Sequence, residues 1–362
     1  SAAARHTTMR IASVQLDSKH ANVETNIATV KRLLASLMSQ ASNTQQRDGR
    51  RHSDAHAHTP PNERRTERPV DLLVLPELAL TGYVFRDHAD IEPLLEVPGP
   101  VTTLHHQMPQ GRSSLEFAAD LARTLHCYVV VGFPERVNAD EAATRPYDAR
   151  PTNVRDEGPP PRSFHAYNSA ALFDATGKLL HVFRKHFLYE DDKRWASQGP
   201  GFETIQLPGL GTVCVAICMD LNPFEFETSF EACELASFCV EQDVDLLIVP
   251  MAWLLPSDET SDAASAVSGP AKPSLSTINY WALRCLPFFD PTQSNAKASG
   301  QSSDAKPKYL LTANRTGTEG KSTFAGSSCV LQMKPNERPL LLESLGTREE
   351  GLLIVDLPID KT

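Results

Sequence analysis

The sequence has no apolar run long enough to cross a lipid bilayer. Its longest apolar segments, Leu72 to Leu75 and Leu246 to Met251 among them, are far shorter than the roughly 20 residues that a membrane-spanning helix needs. No apolar signal segment precedes Met9, and residues 1–8 are too short and too plain for a transit peptide. We therefore expect no membrane segment, and residues 1–8 are either a short leader or a non-native remnant.

Closely spaced cysteine pairs and an excess of basic residues are also missing. The seven cysteines are scattered without a CxxC spacing, which favours a reducing compartment over a disulfide framework. Lys and Arg number 35 against 45 Asp and Glu, a net charge of -10, whereas nucleic-acid-binding surfaces usually carry a basic excess. We expect a cytosolic or nuclear protein without a nucleic-acid partner. The sequence leaves open whether the chain forms a homo-oligomer.

What the sequence does contain is an alternation of strand-like and helix-like segments. Met9 to Leu16 reads as a strand, and Asn22 to Met38 has apolar residues at helical spacing. Two similar apolar strands, VDLLVLP at 70–76 and VDLLIVP at 244–250, hint at a two-fold arrangement of similar layers. No composition shift separates two cores, so we predict one α/β domain over residues 9–358.

Several stretches lack apolar periodicity and are predicted to be insertions. Residues 39–69 are expected to form a disordered surface insertion, because the tract is polar and has no apolar stripe. Loops are predicted for residues 138–163, 256–273 and 291–307. Three histidines of the first tract could suggest a metal, but the tract offers no cysteine or acidic scaffold, so we expect no metal site. These histidines are His52, His56 and His58.

The stretch Thr212 to Pro223, TVCVAICMDLNP, combines a buried strand with a nucleophile. An alternating apolar run ends at Cys218, and Asn222-Pro223 is a plausible helix start with Asn as cap and Pro in the first turn. A thiol on such a strand-to-helix turn is displayed at the sheet edge, where a helix N-terminus favours the thiolate. A small buried structural cysteine is the alternative, and it is how we read the other six.

Two further strand ends supply an acid and a cation. Glu77 follows VDLLVLP, and Lys185 follows LLHVFR. Catalytic groups of α/β folds gather at the carboxyl ends of strands, so these residues are candidates for one site with Cys218. A cysteine attacks an electrophilic carbon, a glutamate moves protons and a lysine stabilises an oxyanion, which together suit acyl transfer from an amide. The alternatives are that Glu77 is a helix-capping carboxylate and that Lys185 is a surface cation.

Three motifs of the chain, and their order along it, resemble those of the nitrilase, or carbon–nitrogen hydrolase, superfamily. They are Pro76-Glu77-Leu78 with Thr81-Gly82-Tyr83, Arg184-Lys185 followed by Leu188, and Cys218-Met219-Asp220. The resemblance implies a four-layer αββα sandwich. It also implies a cysteine hydrolase that needs no cofactor and works through a covalent thioester.

A narrower resemblance points to the substrate. Phe187-Leu188-Tyr189-Glu190 followed by Trp195, together with the segment Cys218 to Pro223, is similar to the fungal-type protein N-terminal amidases. Those enzymes deamidate an N-terminal Asn or Gln of a polypeptide to Asp or Glu with release of ammonia, so polypeptide N-termini are the expected partners. The rival interpretations are an amidase or nitrilase for a small molecule, and an inactive scaffold that binds a partner.

The resemblance also implies roles for individual residues. Glu77 would accept the thiol proton and Cys218 would attack, while Lys185 and the backbone N–H of Met219 would hold the oxyanion.

Members of the superfamily often have a second carboxylate after the lysine motif, for which Glu190 is the first choice and Asp192 the alternative. Asp220, Glu190 or Asp192 could bind the substrate ammonium, although Asp220 has a second interpretation as a brace of the turn. Trp253, just past a strand end, is the candidate for a pocket wall.

Overall fold

Helices and strands alternate along the chain, as the sequence predicts. The computed structural model describes residues 8–51, 68–99, 113–138, 164–264, 271–290, 292 and 306–359. The helices in these ranges are α1 Val23–Leu33, α2 Ala35–Arg51, α3 His88–Ile91, α4 Ser114–Leu125, α5 Glu234–Glu241, α6 Ser257–Ala264 and α7 Leu275–Arg284. The strands are β1 Thr8–Gln15, β2 Leu72–Val74, β3 Tyr128–Asn138, β4 Phe164–Phe173, β5 Leu179–Arg184, β6 Thr204–Leu207, β7 Gly211–Val215, β8 Leu246–Met251, β9 Lys308–Asn314, β10 Thr318–Glu319, β11 Ser322–Thr323, β12 Cys329–Met333, β13 Leu340–Ser344 and β14 Gly351–Pro358.

Two six-stranded sheets form the framework. The first has the strand order β14-β1-β2-β3-β4-β5, and the second has the order β13-β12-β9-β8-β7-β6. Each sheet has a parallel triplet in its middle, β1-β2-β3 in the first and β7-β8-β9 in the second, and antiparallel strands complete both. The similar strands β2 and β8 are the central members of the two triplets. The two-fold likeness of their sequences therefore corresponds to equivalent positions in the two sheets.

The sheets pack face to face and are covered by helices on their outer faces. Leu72 and Val74 of β2 belong to one buried cluster with residues of the second sheet, whereas Leu73 belongs to another with α1, α2 and α4. Both faces of β2 are thus buried, as its continuous apolar sequence predicts. Buried side chains of α5 and α7, such as Leu235 and Trp281, join the second sheet from its outer side. This is the predicted four-layer αββα sandwich.

Local signals set where helices begin. Ser113 accepts a hydrogen bond from the backbone N–H of Glu116 at 2.9 Å and so caps α4, and Ser274 caps α7 through the N–H of Thr277. His126 ends α4 in the left-handed conformation, with φ of 53°. No helix within the described ranges is long and apolar enough to cross a membrane.

Two predicted insertions contain helices. Helix α2 runs to Arg51, so the first part of the tract 39–69 is helical, and Leu37 and Ala41 pack its apolar side into the cluster beneath α4. Helix α6 lies inside the predicted loop 256–273. Residues 52–67, with the three histidines, lie outside the described residues. So do residues 139–163, and of the tract 291–307 only 292, 306 and 307 are described.

The predicted helix start at Asn222-Pro223 is wrong. The oxygen of the Asn222 side chain accepts a hydrogen bond from the hydroxyl of Tyr280 at 2.7 Å, so this residue is used in a tertiary contact and not as a cap. Pro223 leads into a short 3-10 turn, Phe224–Phe226, in which Glu225 has φ of 54°. The next α-helix is α5, which begins at Glu234.

Candidate active site

Cys218 lies on a strained turn between β7 and β8. It is the first residue of the 3-10 turn Cys218–Leu221 and has φ of 44°, a conformation that costs free energy for any residue except glycine. The carboxylate of Asp220 holds this turn by accepting hydrogen bonds from the backbone N–H groups of Ile217, His186 and Phe187 at 2.8, 2.9 and 2.7 Å. Asp220 therefore links the nucleophile turn to the segment that follows Lys185.

Glu77 is positioned by the close approach of its turn to β3. A Cβ added to Gly132 of β3 would lie 2.6 Å from the Cα of Glu77 and 2.5 Å from the backbone nitrogen of Leu78. Only glycine leaves room for this contact. The N–H of Ala79 donates to the carbonyl of Gly132 at 3.3 Å, and the N–H of Ala252, just after β8, donates to Oε2 of Glu77 at 2.7 Å.

Lys185 joins two buried carboxylates. Its Nζ lies 2.6 Å from Oε1 of Glu77 and 2.6 Å from Oδ2 of Asp192, and all three side chains are closed off from solvent. The Nδ2 of Asn168 donates to both carboxylates, at 2.7 Å to Glu77 and 2.8 Å to Asp192. The charges of these three side chains do not balance, because one ammonium faces two carboxylates.

Burial and these charges set the protonation states. Burial raises the pKa of Glu77, the ammonium of Lys185 lowers it, and Asp192 raises it further, so that the net shift is upward. Burial alone would lower the pKa of Lys185, but the charges of Asp192 and Glu77 outweigh it and raise that pKa, so Lys185 is a cation at neutral pH.

Cys218 is a thiol and not a thiolate in the unliganded site. Burial raises its pKa well above the usual range, the negative charge of Glu77 adds to the effect, and the charge of Lys185 opposes it. The sequence predicted that a helix N-terminus would favour the thiolate, and this prediction fails because the turn after Cys218 is too short to supply one. Ionisation must therefore be coupled to the transfer of the thiol proton to a base.

A cavity of 460 Å³ opens above the thiol. Five of the fourteen described residues that line it are aromatic, and Trp253 packs there against Tyr280 at 5.6 Å between ring centroids. The described residues that line it are Tyr83, Tyr189, Cys218, Met219, Asn222, Phe226, Ala252, Trp253, Leu254, Pro256, Asp258, Ser276, Thr277 and Tyr280. Its size is typical of a site for a small molecule or for the end of a peptide.

The structure separates the three acidic candidates. Asp192 contacts Lys185, whereas the side chain of Glu190, the first choice from the sequence, is 72% exposed and pairs with Lys193 at 3.1 Å. Asp220 is occupied by three backbone donors, as its interpretation as a brace of the turn requires. None of the three lines the cavity.

Sequence reasoning missed residues that only the fold brings to the site. Asn168 lies within β4, and its sequence context does not distinguish it from other strand residues. The hydroxyl of Tyr83 lies 3.5 Å from Asp192, whereas the motif Thr81-Gly82-Tyr83 gave no indication of a role for this tyrosine. Asp258 lies in a Ser- and Asp-rich stretch that was predicted to be a loop. The described residues contain no group of three or more His, Cys, Asp or Glu side chains placed to hold a metal ion.

Comparisons with known proteins agree with this geometry. Residues 10–225 match the carbon–nitrogen hydrolase family. A protein N-terminal amidase of Schizosaccharomyces pombe is 32% identical over 300 residues, which cover 80% of this chain and 87% of the relative. Crystal structures of an N-terminal amidase with an Asn-Glu-Ala peptide and with a Gln-Val peptide superpose with TM-scores of 0.67, at 20% and 21% identity, each over 97% of both chains. The chain belongs to the carbon–nitrogen hydrolase family.

Proposed function

We propose that this protein is an N-terminal amidase, which converts an N-terminal Asn or Gln of a polypeptide to Asp or Glu and releases ammonia. The observation that carries the proposal is the buried contact of Lys185 with Glu77 beside the thiol of Cys218 at the bottom of an open cavity. The relative from fission yeast is named for this activity, and the solved structures of similar fold hold peptides that begin with Asn or Gln.

In the acylation half, the carboxamide carbon of the substrate lies against Sγ of Cys218. Glu77 takes the thiol proton as the S–C bond forms, and the carbonyl oxygen becomes an oxyanion. Lys185 stabilises this charge together with the N–H of Met219, which has no acceptor within its own short turn because the first donors of a helical turn are unpaired. The C–N bond then breaks, the nitrogen receives the proton from Glu77, and ammonia leaves a thioester on Cys218.

In the deacylation half, water attacks the thioester and Glu77 takes one of its protons. The C–S bond breaks, the thiolate of Cys218 recovers the proton from Glu77, and the product leaves as a carboxylic acid. The contact of Asp192 with Lys185 at 2.6 Å holds the ammonium in place when Glu77 becomes neutral. Without Asp192, proton transfer to Glu77 would leave a buried cation unpaired, which is costly.

Mass spectrometry of matched peptides tests the proposal. Peptides that begin with Asn or Gln should gain the mass difference between an amide and an acid and release one ammonia, while a peptide with an internal Asn should remain unchanged. The same assay with Cys218→Ala supplies the enzyme control. Ammonia release from small-molecule amides alone would overturn the proposal in favour of the small-molecule alternative.

A further inference from the structure

An N-terminal amidase must recognise a cation, because its substrate carries an α-ammonium next to the reacting side chain. Burying an ammonium without a compensating partner is costly, so a carboxylate at the right place both binds the correct substrate and rejects an acylated one. The cavity above Cys218 therefore has to present a negative charge that the reaction does not itself consume.

The carboxylates nearest the thiol do not meet this need. Glu77 and Asp192 are fully buried beneath the cavity, where both contact the ammonium of Lys185. Asp220 is 2% exposed and accepts three backbone hydrogen bonds. Glu190 lies outside the cavity and pairs with Lys193.

Asp258 is the one acidic side chain among the described residues that line the cavity. It lies on the wall that begins at Ala252, whose N–H contacts Glu77, and continues outward through Trp253 and Leu254. This wall is anchored, because the N–H of Leu255 donates to the carbonyl of Thr323 at 2.8 Å.

The first turn of α6 fixes the place of Asp258 on that wall. The carbonyl of Pro256 accepts hydrogen bonds from the N–H groups of Glu259 and Thr260 at 3.0 and 3.2 Å. Asp258 is exposed at the outer end of the wall, whereas Cys218 is 7% exposed at the inner end. A substrate whose carboxamide reaches Cys218 would have its backbone and its ammonium on the outer side.

We propose that Asp258 binds the α-ammonium of the substrate and so restricts the enzyme to free N-termini. The inference rests on the proposed function and names the group that selects its substrate. Aromatic rings of Trp253, Phe226 and Tyr280 surround the same space. When a polypeptide enters and displaces water from these rings, the ion pair is formed in a less polar environment than a surface pair, and it gains strength accordingly.

The test compares Asp258→Asn with the unchanged enzyme on two peptides. One begins with Asn, and its twin carries a hydrogen in place of the α-ammonium. Asp258→Asn should raise KM for the Asn peptide by roughly tenfold to a hundredfold, the usual effect of losing a hydrogen bond to a charged group, with kcat largely retained. Its kcat/KM for the twin should not fall.

Matched variants separate recognition from structure. Glu227→Gln removes one exposed negative charge next to Phe226 without touching the cavity lining, and it should leave both KM values unchanged. Asp258→Ser keeps a residue suited to the first turn of a helix and should reproduce the effect of Asp258→Asn if the latter folds poorly.

The outcomes distinguish this inference from the proposed function. An unchanged KM for the Asn peptide in both Asp258 variants, or an equal loss with both peptides, overturns the role of Asp258 while the unchanged enzyme still deamidates N-terminal Asn. If the unchanged enzyme deamidates neither N-terminal Asn nor N-terminal Gln, the proposed function itself fails.

Discussion

The ammonium of Lys185 lies 2.6 Å from the carboxylate of Glu77, and neither side chain is exposed to solvent. The contact places a fixed positive charge next to the group that must accept a proton. Such a charge alone would make Glu77 a weak base. Burial and the negative charge of Asp192 oppose this effect, so the pKa of Glu77 is raised and not lowered.

The first prediction concerns the pH dependence of kcat/KM. Glu77 must be ionised to accept the thiol proton, so activity should rise with pH as Glu77 loses its proton. Because the pKa of Glu77 is raised, the acid limb of the profile should lie above the roughly 4.3 of an ordinary glutamate. A limb at or below that value would contradict the assignment of Glu77 as the base.

Replacing Asp192 by Asn should shift this limb. The charge of Asp192 raises the pKa of Glu77, so its removal lowers that pKa and moves the acid limb to lower pH. The variant also leaves Lys185 with one carboxylate instead of two, and kcat should fall at least tenfold because Glu77 is a weaker base. Glu190→Gln is the matched control, since that exposed carboxylate does not contact Lys185, and its profile should not move.

Cys218→Ala should abolish turnover while the protein stays folded. The change removes the nucleophile, and the residual rate should be lower by several orders of magnitude. Activity and the thermal midpoint are measured together. Cys127→Ala, which removes a buried thiol from the other hydrophobic cluster, should retain kcat even if it lowers the midpoint.

Asp220→Asn should destabilise the nucleophile turn. The carboxylate accepts from the N–H of Ile217 with one oxygen and from the N–H groups of His186 and Phe187 with the other. An amide has only one oxygen, so its NH2 group would face a backbone N–H, and two hydrogen-bond donors would be in contact. The free energy of unfolding should fall by about 1–3 kcal/mol in chemical denaturation. Asp243→Asn, at a side chain that is 90% exposed, should change it by no more than about 0.5 kcal/mol.

Gly132→Ala should impair activity more than its small size suggests. The added methyl would lie 2.6 Å from the Cα of Glu77, so the turn that carries the base must move. We expect kcat to fall about tenfold or more, because a small displacement of a catalytic group is costly. Gly320→Ala introduces the same methyl where no atom lies within 4 Å, and it should cost only the roughly 1 kcal/mol of a left-handed backbone.

Sequence reasoning found the residues that end strands and missed those placed by tertiary contacts. Glu77, Lys185 and Cys218 each follow an apolar run, and such runs are visible in one dimension. The choice between Glu190 and Asp192 depends on which side chain turns inward at a short 3-10 turn, and three consecutive acidic residues give no signal for that. Asp258 was not predicted as a site residue, because the helix that carries it, α6, has little apolar periodicity and reads as a loop.

The prediction of a helix start at Asn222-Pro223 is wrong for a comparable reason. Asn222 and Pro223 have the local features of a helix start, but the hydroxyl of Tyr280 competes for the Asn222 side chain from a distant helix. A contact between residues far apart in sequence outweighed a local preference. The prediction of the four-layer fold, by contrast, depends on many segments at once, so errors at the boundaries of individual elements do not change it.

The reacting groups come from opposite sides of the interface between the sheets. Glu77 and Lys185 follow β2 and β5 of the first sheet, whereas Cys218 and Ala252 follow β7 and β8 of the second. A chain whose sheets have formed but not yet docked has no base beside its thiol and no closed environment for its lysine. Amide cleavage therefore requires the two sheets to be docked, and loosening their interface should abolish activity before the protein unfolds.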